Sequence, residues 1–318
     1  MSSRIAVIGA SGFIGSHVAV ELIARGHDVT LTARDPRATA AWLVPALKKR
    51  APRGTLYALM QAELDDADSI EIALEGCSGL ICCAGTAKAE PATVELMLAA
   101  VQNICSACLT AEVPVAVFTS STGSMNPPGD EPELKNELDH WSDDAAQIAA
   151  GKFGPAGKTR LDRGALAAMQ ESGGRLRTAV INPSLVTGPV YQPDPVGQLR
   201  LIRDILKGER MAESIPNDSM SIIDVRDLAQ LHIAALLNPN ASGRYFGVKR
   251  SWHWREILAA LQRCVPGYSP PPVDPEEVPI RPTGFDLTRR DSLGVPLRDL
   301  DEILQAVVDE LNRRGMLD

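Results

Sequence analysis

The stretch Ile5-Ala-Val-Ile-Gly9-Ala-Ser-Gly12-Phe-Ile-Gly15 decides the fold of this 318-residue chain. An apolar run precedes the glycines and an amphipathic helical pattern follows them, which is the context of a phosphate-binding turn between a strand and a helix. Gly9 permits the tight turn, Gly12 lets the backbone approach a pyrophosphate, and Gly15 lets helix and strand pack closely. The unpaired N–H groups of the helix start then face the phosphates. An ordinary strand-to-helix turn is the alternative.

Short apolar runs alternate with helical patterns along the chain. Strands that are apolar throughout, separated by helices, indicate a parallel sheet covered on both faces. The predicted fold class is therefore α/β, with a Rossmann-type doubly wound parallel sheet. The predicted strands are Arg4–Gly9, Asp28–Arg34, Thr55–Gln61, Gly79–Ala84, Val113–Ser120, Leu176–Asn182 and Ser219–Val225, and the predicted helices are Ile14–Arg25, Ser69–Leu74, Val94–Ala111, one starting near Lys158, and Arg226–Leu237.

Prolines mark a change in the chain beyond Asn182, where they punctuate loops and short helices. We therefore predict two parts. Residues 1–182 and 219–248 form a nucleotide-binding Rossmann domain, and residues 183–218 and 249–318 form a smaller, discontinuous C-terminal lobe that binds the substrate. The last helix is predicted at about Leu297–Arg314, ended by Gly315 as a C-cap glycine.

Composition excludes several classes of protein. A formal charge of -8 leaves no basic surplus for nucleic acid. No uninterrupted run of about 18 apolar residues predicts a membrane span. The first predicted strand begins at Arg4, which leaves no room for a signal peptide, so we expect a cytoplasmic protein.

The six cysteines are interpreted as buried structural thiols. Cys82 and Cys83 lie in an apolar run, where cysteine behaves as a small core residue. Cys105 and Cys108 form a CxxC pair in the middle of a predicted helix, away from a helix N-terminus that would favour the thiolate. No second Cys/His pair completes a zinc site, so no metal is expected.

The GxxGxxG spacing resembles the fingerprint of extended short-chain dehydrogenases/reductases, and the similarity continues through nearly the whole chain. Phe118-Thr-Ser-Ser121 resembles their catalytic-serine strand, Asn182-Pro-Ser-Leu-Val-Thr-Gly-Pro189 the loop after the sixth strand, and Asp224-Val-Arg-Asp-Leu-Ala-Gln-Leu-His232 the segment that returns to the sheet. Trp141-Ser-Asp143 and Ala33-Arg-Asp-Pro36 resemble the branch of dihydroflavonol and cinnamoyl-CoA reductases.

The end of the second strand points to NADP rather than NAD. It carries no acid for a ribose 2′-OH, whereas Arg34 stands where a guanidinium accommodates a 2′-phosphate. Arg37 follows closely, Ser11 offers a hydroxyl, and Asp35 is expected to turn outward. The alternative is that Arg34 is a solvated loop charge. We predict NADPH.

The resemblance implies a full set of cofactor contacts. The pair Glu63-Leu64 is similar to one that contacts adenine, Ala84-Gly85 to backbone passing under a ribose, and Ser120 lies beside the nicotinamide. The predicted cofactor-binding residues are Gly9, Ser11, Gly12, Phe13, Ile14, Gly15, Arg34, Glu63, Leu64, Ala84, Gly85, Ser120, Lys158 and Pro183.

The resemblance also implies a catalytic serine, tyrosine and lysine, and here the tyrosine is replaced. The serine falls on Ser121 and the lysine on Lys158, with a surface helix lysine as the alternative for the latter. The tyrosine position, four residues before Lys158, is Gly154; Phe153 beside it has no hydroxyl.

Other proton donors are therefore considered. Tyr191, after the Asn182–Pro189 loop, is the candidate catalytic acid, and a pocket-lining aromatic is its alternative role. His140 and bound water are further candidates. Tyr57 and Tyr245 are assigned to strands.

These features predict an NADPH-dependent oxidoreductase that reduces a carbonyl of a small hydrophobic or aromatic substrate with an atypical proton donor. Two alternatives stay open. One is an NADP-binding sensor or scaffold without chemistry; the other is a lyase, epimerase or dehydratase that uses the cofactor transiently. The sequence leaves the oligomeric state open; a homodimer through helices that flank the sheet is common among the proteins that it resembles.

Overall fold

The glycine turn joins the first strand, β1 (Arg4–Ile8), to the first helix, α1 (Phe13–Ala24). Gly9 has φ +83°, and a Cβ there would lie 2.8 Å from the Cα of Ala84. A Cβ on Gly15 would lie 2.2 Å from the carbonyl oxygen of Gly9. Gly12 has φ −78° and ψ 167°, a conformation open to any residue. Gly9 and Gly15 are therefore required by the fold, whereas a Cβ on Gly12 would make only a tight contact of 3.2 Å with the carbonyl oxygen of Gly9.

The structure is a computed structural model that describes residues 3–50, 53–85, 90–194 and 197–318. The next elements are β2 (Asp28–Ala33), α2 (Pro36–Lys49), β3 (Leu56–Gln61), α3 (Ala67–Leu74), β4 (Gly79–Cys82), α4 (Ala92–Thr110), β5 (Val115–Thr119), a 3-10 turn (Thr122–Ser124), α5 (Asp144–Ala149), α6 (Phe153–Glu171) and β6 (Arg177–Pro183). The later elements are β7 (Leu185–Thr187), α7 (Gly197–Leu206), β8 (Ser219–Asp224), α8 (Val225–Leu237), β9 (Gly243–Gly247), β10 (Arg250–His253), α9 (Trp254–Cys264), α10 (Thr288–Asp291) and α11 (Leu300–Arg313).

Seven strands form one parallel sheet in the order β3-β2-β1-β4-β5-β6-β9. The order reverses between β1 and β4, and open α/β sheets bind ligands outside the carboxyl ends of the strands at such a switch point. The predicted Rossmann-type α/β fold is confirmed. The observed strands begin and end within a few residues of the predicted bounds.

Both faces of the sheet are buried, as the continuously apolar strands predict. Ile5 and Val7 of β1 face the core packed against α1 and α8, and Ala6 and Ile8 face the core packed against α3, α4 and α6. Such strands lack the hydrophobic–polar alternation of a half-exposed strand because each face has its own helical layer.

A third core lies outside the large sheet, among α7, α9, α11 and the sheet β10-β8-β7. β8 pairs antiparallel with β10 and parallel with β7. Strand β8 therefore belongs to the smaller sheet, whereas the sequence pattern predicts residues 219–248 to be part of the Rossmann domain. After β8, α8 packs on the large sheet and β9 joins it. The other predicted domain boundaries stay a prediction. α11 ends before Gly315, which has φ +63° as predicted for a C-cap glycine.

Helix α4 is long and apolar enough to span a membrane, judged by length and composition over the described residues. Its sequence contains no unbroken apolar run that would predict a span, because Glu95, Gln102 and Asn103 interrupt it. Half of the apolar stretch is buried inside the fold. Val101, Ile104 and their neighbours pack in the core beneath the sheet, as is usual for a helix that covers a sheet face.

The CxxC cysteines lie in the buried part of α4. Cys105 and Cys108 both belong to the core, and burial raises the pKa of Cys105 to about 12. Protonated thiols of this kind are poor nucleophiles and poor metal ligands. In the described ranges, His, Cys, Asp and Glu side chains form no group of three or more that could hold a metal ion.

We expect Gly15→Ala to destabilise the protein by about 1–3 kcal/mol, because the new methyl group collides with a backbone oxygen that cannot move without breaking the turn. Urea denaturation measures this. The matched control is Gly154→Ala in the first turn of α6, where a Cβ meets nothing within 4 Å. That change should alter stability by about 1 kcal/mol at most. Equal effects of the two substitutions would contradict the assigned packing role of Gly15.

Candidate active site

A cavity of about 680 Å³ opens at the carboxyl ends of β1 and β4, at the point where the strand order reverses. Eight of the predicted cofactor-binding residues line it: Gly9, Ser11, Gly12, Arg34, Glu63, Leu64, Ala84 and Gly85. Its volume and its position at the switch point are those expected of a dinucleotide site.

The glycine turn presents the N-terminus of α1 to this cavity. Gly12 is the N-cap and offers no side chain to the helix, and the first turn contains no acidic residue. The N–H groups of Phe13, Ile14 and Gly15 therefore have no side-chain acceptor at the cap. With the positive end of the helix dipole, they form a site for phosphate oxygens.

Arg34 follows the end of β2, is exposed and lines the cavity. The neighbouring Asp35 is the N-cap of α2, and its carboxylate accepts a hydrogen bond of 2.9 Å from the N–H of Ala38. The carboxylate of Asp35 is therefore bound to the first turn of α2, which agrees with the expectation that Asp35 turns away from the cofactor. A guanidinium without a competing acid suits a 2′-phosphate. Arg37 does not line the cavity.

Lys158 lies beside the same cavity. Its Nζ donates a 2.8 Å hydrogen bond to the carbonyl of Thr119 at the end of β5. A Cβ on Gly85 would lie 3.6 Å from that Nζ. Burial lowers the pKa of Lys158. This is not the setting of a surface lysine: the amine sits where the carboxyl ends of β4 and β5 meet the cavity wall.

Ser121 is held by its backbone at the end of β5. Its carbonyl accepts hydrogen bonds from the Nδ2 of Asn182 at 3.1 Å and the Oγ of Ser124 at 2.8 Å. Its Oγ accepts a 3.1 Å hydrogen bond from the N–H of Gly123, which leaves the hydroxyl proton free to donate. The side chain is partly exposed and can donate to a substrate carbonyl.

A buried polar cluster supports this serine from below. Asp162, one turn after Lys158, accepts hydrogen bonds from Ser124 at 2.6 Å and Asn182 at 2.8 Å. Burial raises the pKa of Asp162. Nη1 of the fully buried Arg244 lies 3.9 Å from its carboxylate. The cluster links β5, α6, β6 and β9 and fixes the backbone that carries Ser121.

The position of the missing tyrosine lies within a regular helix. The sequence predicts a helix start near Lys158; this is wrong, because α6 begins at Phe153. Pro155 occupies the first turn, where no backbone donor is needed. Gly154 and Lys158 are therefore one helical turn apart on one face, and a Cβ on Gly154 would meet no atom within 4 Å.

The structure does not bring Tyr191 to this site. Its ring stacks on His17 of α1 with centroids 4.5 Å apart, and it lines a different cavity with Trp42 and Arg314. Burial raises its pKa, which makes it a weaker acid. The residues around Tyr191 are therefore different from Thr119 and Gly85, the residues around the Nζ of Lys158. The pocket-lining alternative fits Tyr191 better than the role of catalytic acid.

Three further predicted residues, His140, Ser120 and Pro183, make contacts that stabilise the fold. His140 accepts a hydrogen bond from the N–H of Asn136 at 2.8 Å and stabilises the loop before α5. Ser120 is buried, with its Oγ 3.4 Å from the carbonyl of Lys158. Pro183 is buried as the last residue of β6. None of the three lines the large cavity.

Several cavity residues escaped the sequence analysis. Cys83, Thr32 and Thr93 line the cavity but belong to no motif. Gln192 lines a different cavity but contacts the glycine turn; sequence spacing does not reveal this contact, because it joins residues 181 positions apart. Thr32 lies at the carboxyl end of β2 and Cys83 directly follows β4. These positions could have predicted their place in the cavity, because the carboxyl ends of such strands meet at the switch point.

Comparison with known proteins agrees with this architecture. The model of the NAD dependent epimerase/dehydratase family matches residues 5–247. The chain therefore belongs to that family, the extended short-chain dehydrogenases/reductases.

Individual relatives are reductases. Cinnamoyl-CoA reductase 1 of Oryza sativa subsp. japonica is 29% identical over 317 residues, which cover 98% of this chain and 91% of that protein. Dihydroflavonol 4-reductase of Callistephus chinensis is 26% identical, with 98% and 87% covered. The branch resemblance is confirmed by these relatives.

A solved structure shares the whole fold. The crystal structure of yeast methylglyoxal/isovaleraldehyde reductase complexed with NADPH has a TM-score of 0.82 and 19% identity, and the match covers 98% of this chain and 99% of that one. The cofactor in that complex is the one that Arg34 predicts for this chain.

We expect Arg34→Ala to weaken NADPH binding by about tenfold or more, the effect of losing a charge-assisted contact to a phosphate. NADH has no 2′-phosphate, so its affinity should barely change in the same variant. Isothermal titration calorimetry with both nucleotides measures this. If the wild-type protein binds NADPH and NADH equally, Arg34 is only a solvated charge.

Tyr191→Phe should leave kcat unchanged within about twofold, because the hydroxyl lies away from Ser121 and Lys158 and the ring still stacks on His17. Steady-state kinetics with NADPH and an accepted carbonyl compound measure this. A fall of about 10² or more, the typical effect of removing a general acid, would restore Tyr191 as the catalytic acid.

Proposed function

We propose that this protein is an NADPH-dependent reductase of a carbonyl group in a small hydrophobic or aromatic substrate. The observation that carries the proposal is that the Nζ of Lys158 binds the carbonyl of Thr119 at the end of β5, two residues before Ser121, and lies next to Gly85 of the dinucleotide-sized cavity. An NADP-binding protein without chemistry has no need of either side chain there. The reductase relatives support the same activity.

Bound NADPH would supply the hydride. The free hydroxyl proton of Ser121 donates to the substrate carbonyl and orients it, and the hydrogen bond becomes stronger as negative charge develops on that oxygen. Lys158 has three donors, one of which is used by the carbonyl of Thr119. The other two are available to ribose hydroxyls and to the proton-donating group.

The proton donor is proposed to be solvent water beside Lys158. Gly154 leaves open the space above this lysine that a tyrosine would fill. The ammonium lowers the pKa of a water molecule hydrogen-bonded to it and holds it close to the developing alkoxide. One proton and one hydride then convert the carbonyl to an alcohol. The lowered pKa of Lys158 makes it a better proton source for that water than an exposed lysine.

The substrate is proposed to occupy a second cavity, of about 370 Å³, beside the catalytic serine. Its lining includes Gly123, Asn126 and Gln147, together with Pro128, Ala146, Ala150 and Pro155. Ser142, Asp143 and Lys152 complete the wall, so apolar surface is combined with a few polar and charged groups, which suits a small hydrophobic molecule that carries a polar carbonyl.

Gly154→Tyr is expected to raise kcat for simple ketones by about tenfold or more, because it restores a general acid one turn before Lys158. Gly154→Phe is the matched control: it has the same ring without the hydroxyl and should give no gain. A Cβ at this position meets no atom within 4 Å, so the fold should tolerate both substitutions. NADPH oxidation with a panel of aldehydes and ketones is the assay. An equal gain in both variants would mean that ring packing, not proton donation, limits the rate.

The missing tyrosine also favours a second candidate function, an NADP-binding sensor. The same experiment separates the two functions. Tight NADPH binding without turnover in the wild-type protein and in Gly154→Tyr would support the sensor and contradict the reductase.

A further inference from the structure

Gln192 contacts the glycine turn from the opposite half of the chain. Its Nε2 donates hydrogen bonds of 3.1 Å to the carbonyl of Ser11 and 3.1 Å to the Oγ of Ser16. The Oγ of Ser16 in turn donates to the carbonyl of Phe13 at 2.9 Å. One side-chain amide therefore fixes the residue between the first two glycines and the first turn of α1.

The orientation of this amide is fixed by its neighbours. The Oε1 of Gln192 is buried and has no hydrogen-bond partner among the described residues. The reversed amide would place that oxygen against the carbonyl of Ser11, and two acceptors would then face each other. The NH₂ group must consequently face the turn.

The segment that carries Gln192 is held from two sides. His17 lies in α1, and its Nε2 donates to the carbonyl of Pro189 at 2.9 Å. Burial lowers the pKa of His17 to about 4, so the ring is neutral near pH 7 and has one N–H to donate. Arg314 donates to the carbonyls of Val190 at 3.1 Å, Gln192 at 2.7 Å and Pro193 at 2.7 Å. The amide is thus presented by a rigid support.

We propose that Gln192 is a positioning residue for the pyrophosphate-binding turn. It holds the carbonyl of Ser11 away from the phosphates and keeps the N–H groups of the α1 start directed at them. Phosphate oxygens are acceptors, so a peptide carbonyl that rotated toward them would be repelled. The proposal rests on the NADPH binding of the proposed function.

The test compares two nucleotides in two variants. NADPH spans the turn, whereas 2′-AMP reaches the Arg34 end of the cavity and has no pyrophosphate. Gln192→Ala should weaken NADPH binding about tenfold, equivalent to about 1.4 kcal/mol, and leave the Kd of 2′-AMP unchanged. Gln192→Glu keeps the shape but sets a carboxylate oxygen against the carbonyl of Ser11, so it should weaken NADPH at least as much. In kinetics, KM for NADPH should rise while kcat at saturating NADPH stays constant.

The control is Gln305→Ala, because Gln305 donates from α11 to Asp309 on the surface, far along the chain from the turn. It should change neither Kd. Unchanged NADPH affinity in both Gln192 variants would overturn the proposal, and so would equal weakening of NADPH and 2′-AMP, which indicates general damage. A wild-type protein that binds 2′-AMP but not NADPH would instead overturn the proposed function, and with it this role of Gln192.

Discussion

The close approach of α1 to the carbonyl oxygen of Gly9 is the constraint on which the nucleotide-binding edge of the sheet depends. Only a hydrogen atom fits at Gly15, where a Cβ would lie 2.2 Å from that oxygen. This contact sets the distance and angle at which the helix leaves the first strand. The direction of the helix N-terminus, the floor of the cavity and the position of Gly12 all follow from it.

Residues from other strands and from α6 meet at the same edge of the sheet as the start of α1. Arg34 follows β2 and Ala84 and Gly85 follow β4, and these residues line the cavity. Ser121 follows β5 at the same edge of the sheet, because parallel strands end at one edge. Lys158 reaches the same edge from α6, which covers the lower face of the sheet. The polar cluster around Asp162 then fixes the backbone that carries the serine.

Much of this was predictable from sequence, for local reasons. The glycine spacing, the apolar strands and the absence of an acid at the end of β2 are short-range patterns, and each predicts one physical feature. At three places the structure differs from what the sequence pattern suggests, because each depends on non-local or subtle effects. The sequence of β8 predicts a strand but not the sheet to which it belongs, because its partners β7 and β10 are set by contacts between distant residues. Gly154-Pro155 has the composition of a turn, yet proline is well tolerated in the first turn of a helix. The location of Tyr191 behind α1 was likewise set by packing with His17, which no spacing reveals.

The capping role of Asp35 has a consequence for the redesign of nucleotide preference. An acid near the end of β2 is the feature that would bind a ribose 2′-OH, and Asp35 offers one within a residue of the required place. Its carboxylate is already used by the first turn of α2. Recruiting it to a ribose would remove a cap that is typically worth about 0.5–2 kcal/mol. Converting the protein to use the unphosphorylated dinucleotide therefore requires a new acid at another position. Arg34 selects the nucleotide and the adjacent Asp35 caps the second helix, and neither residue can take over the role of the other.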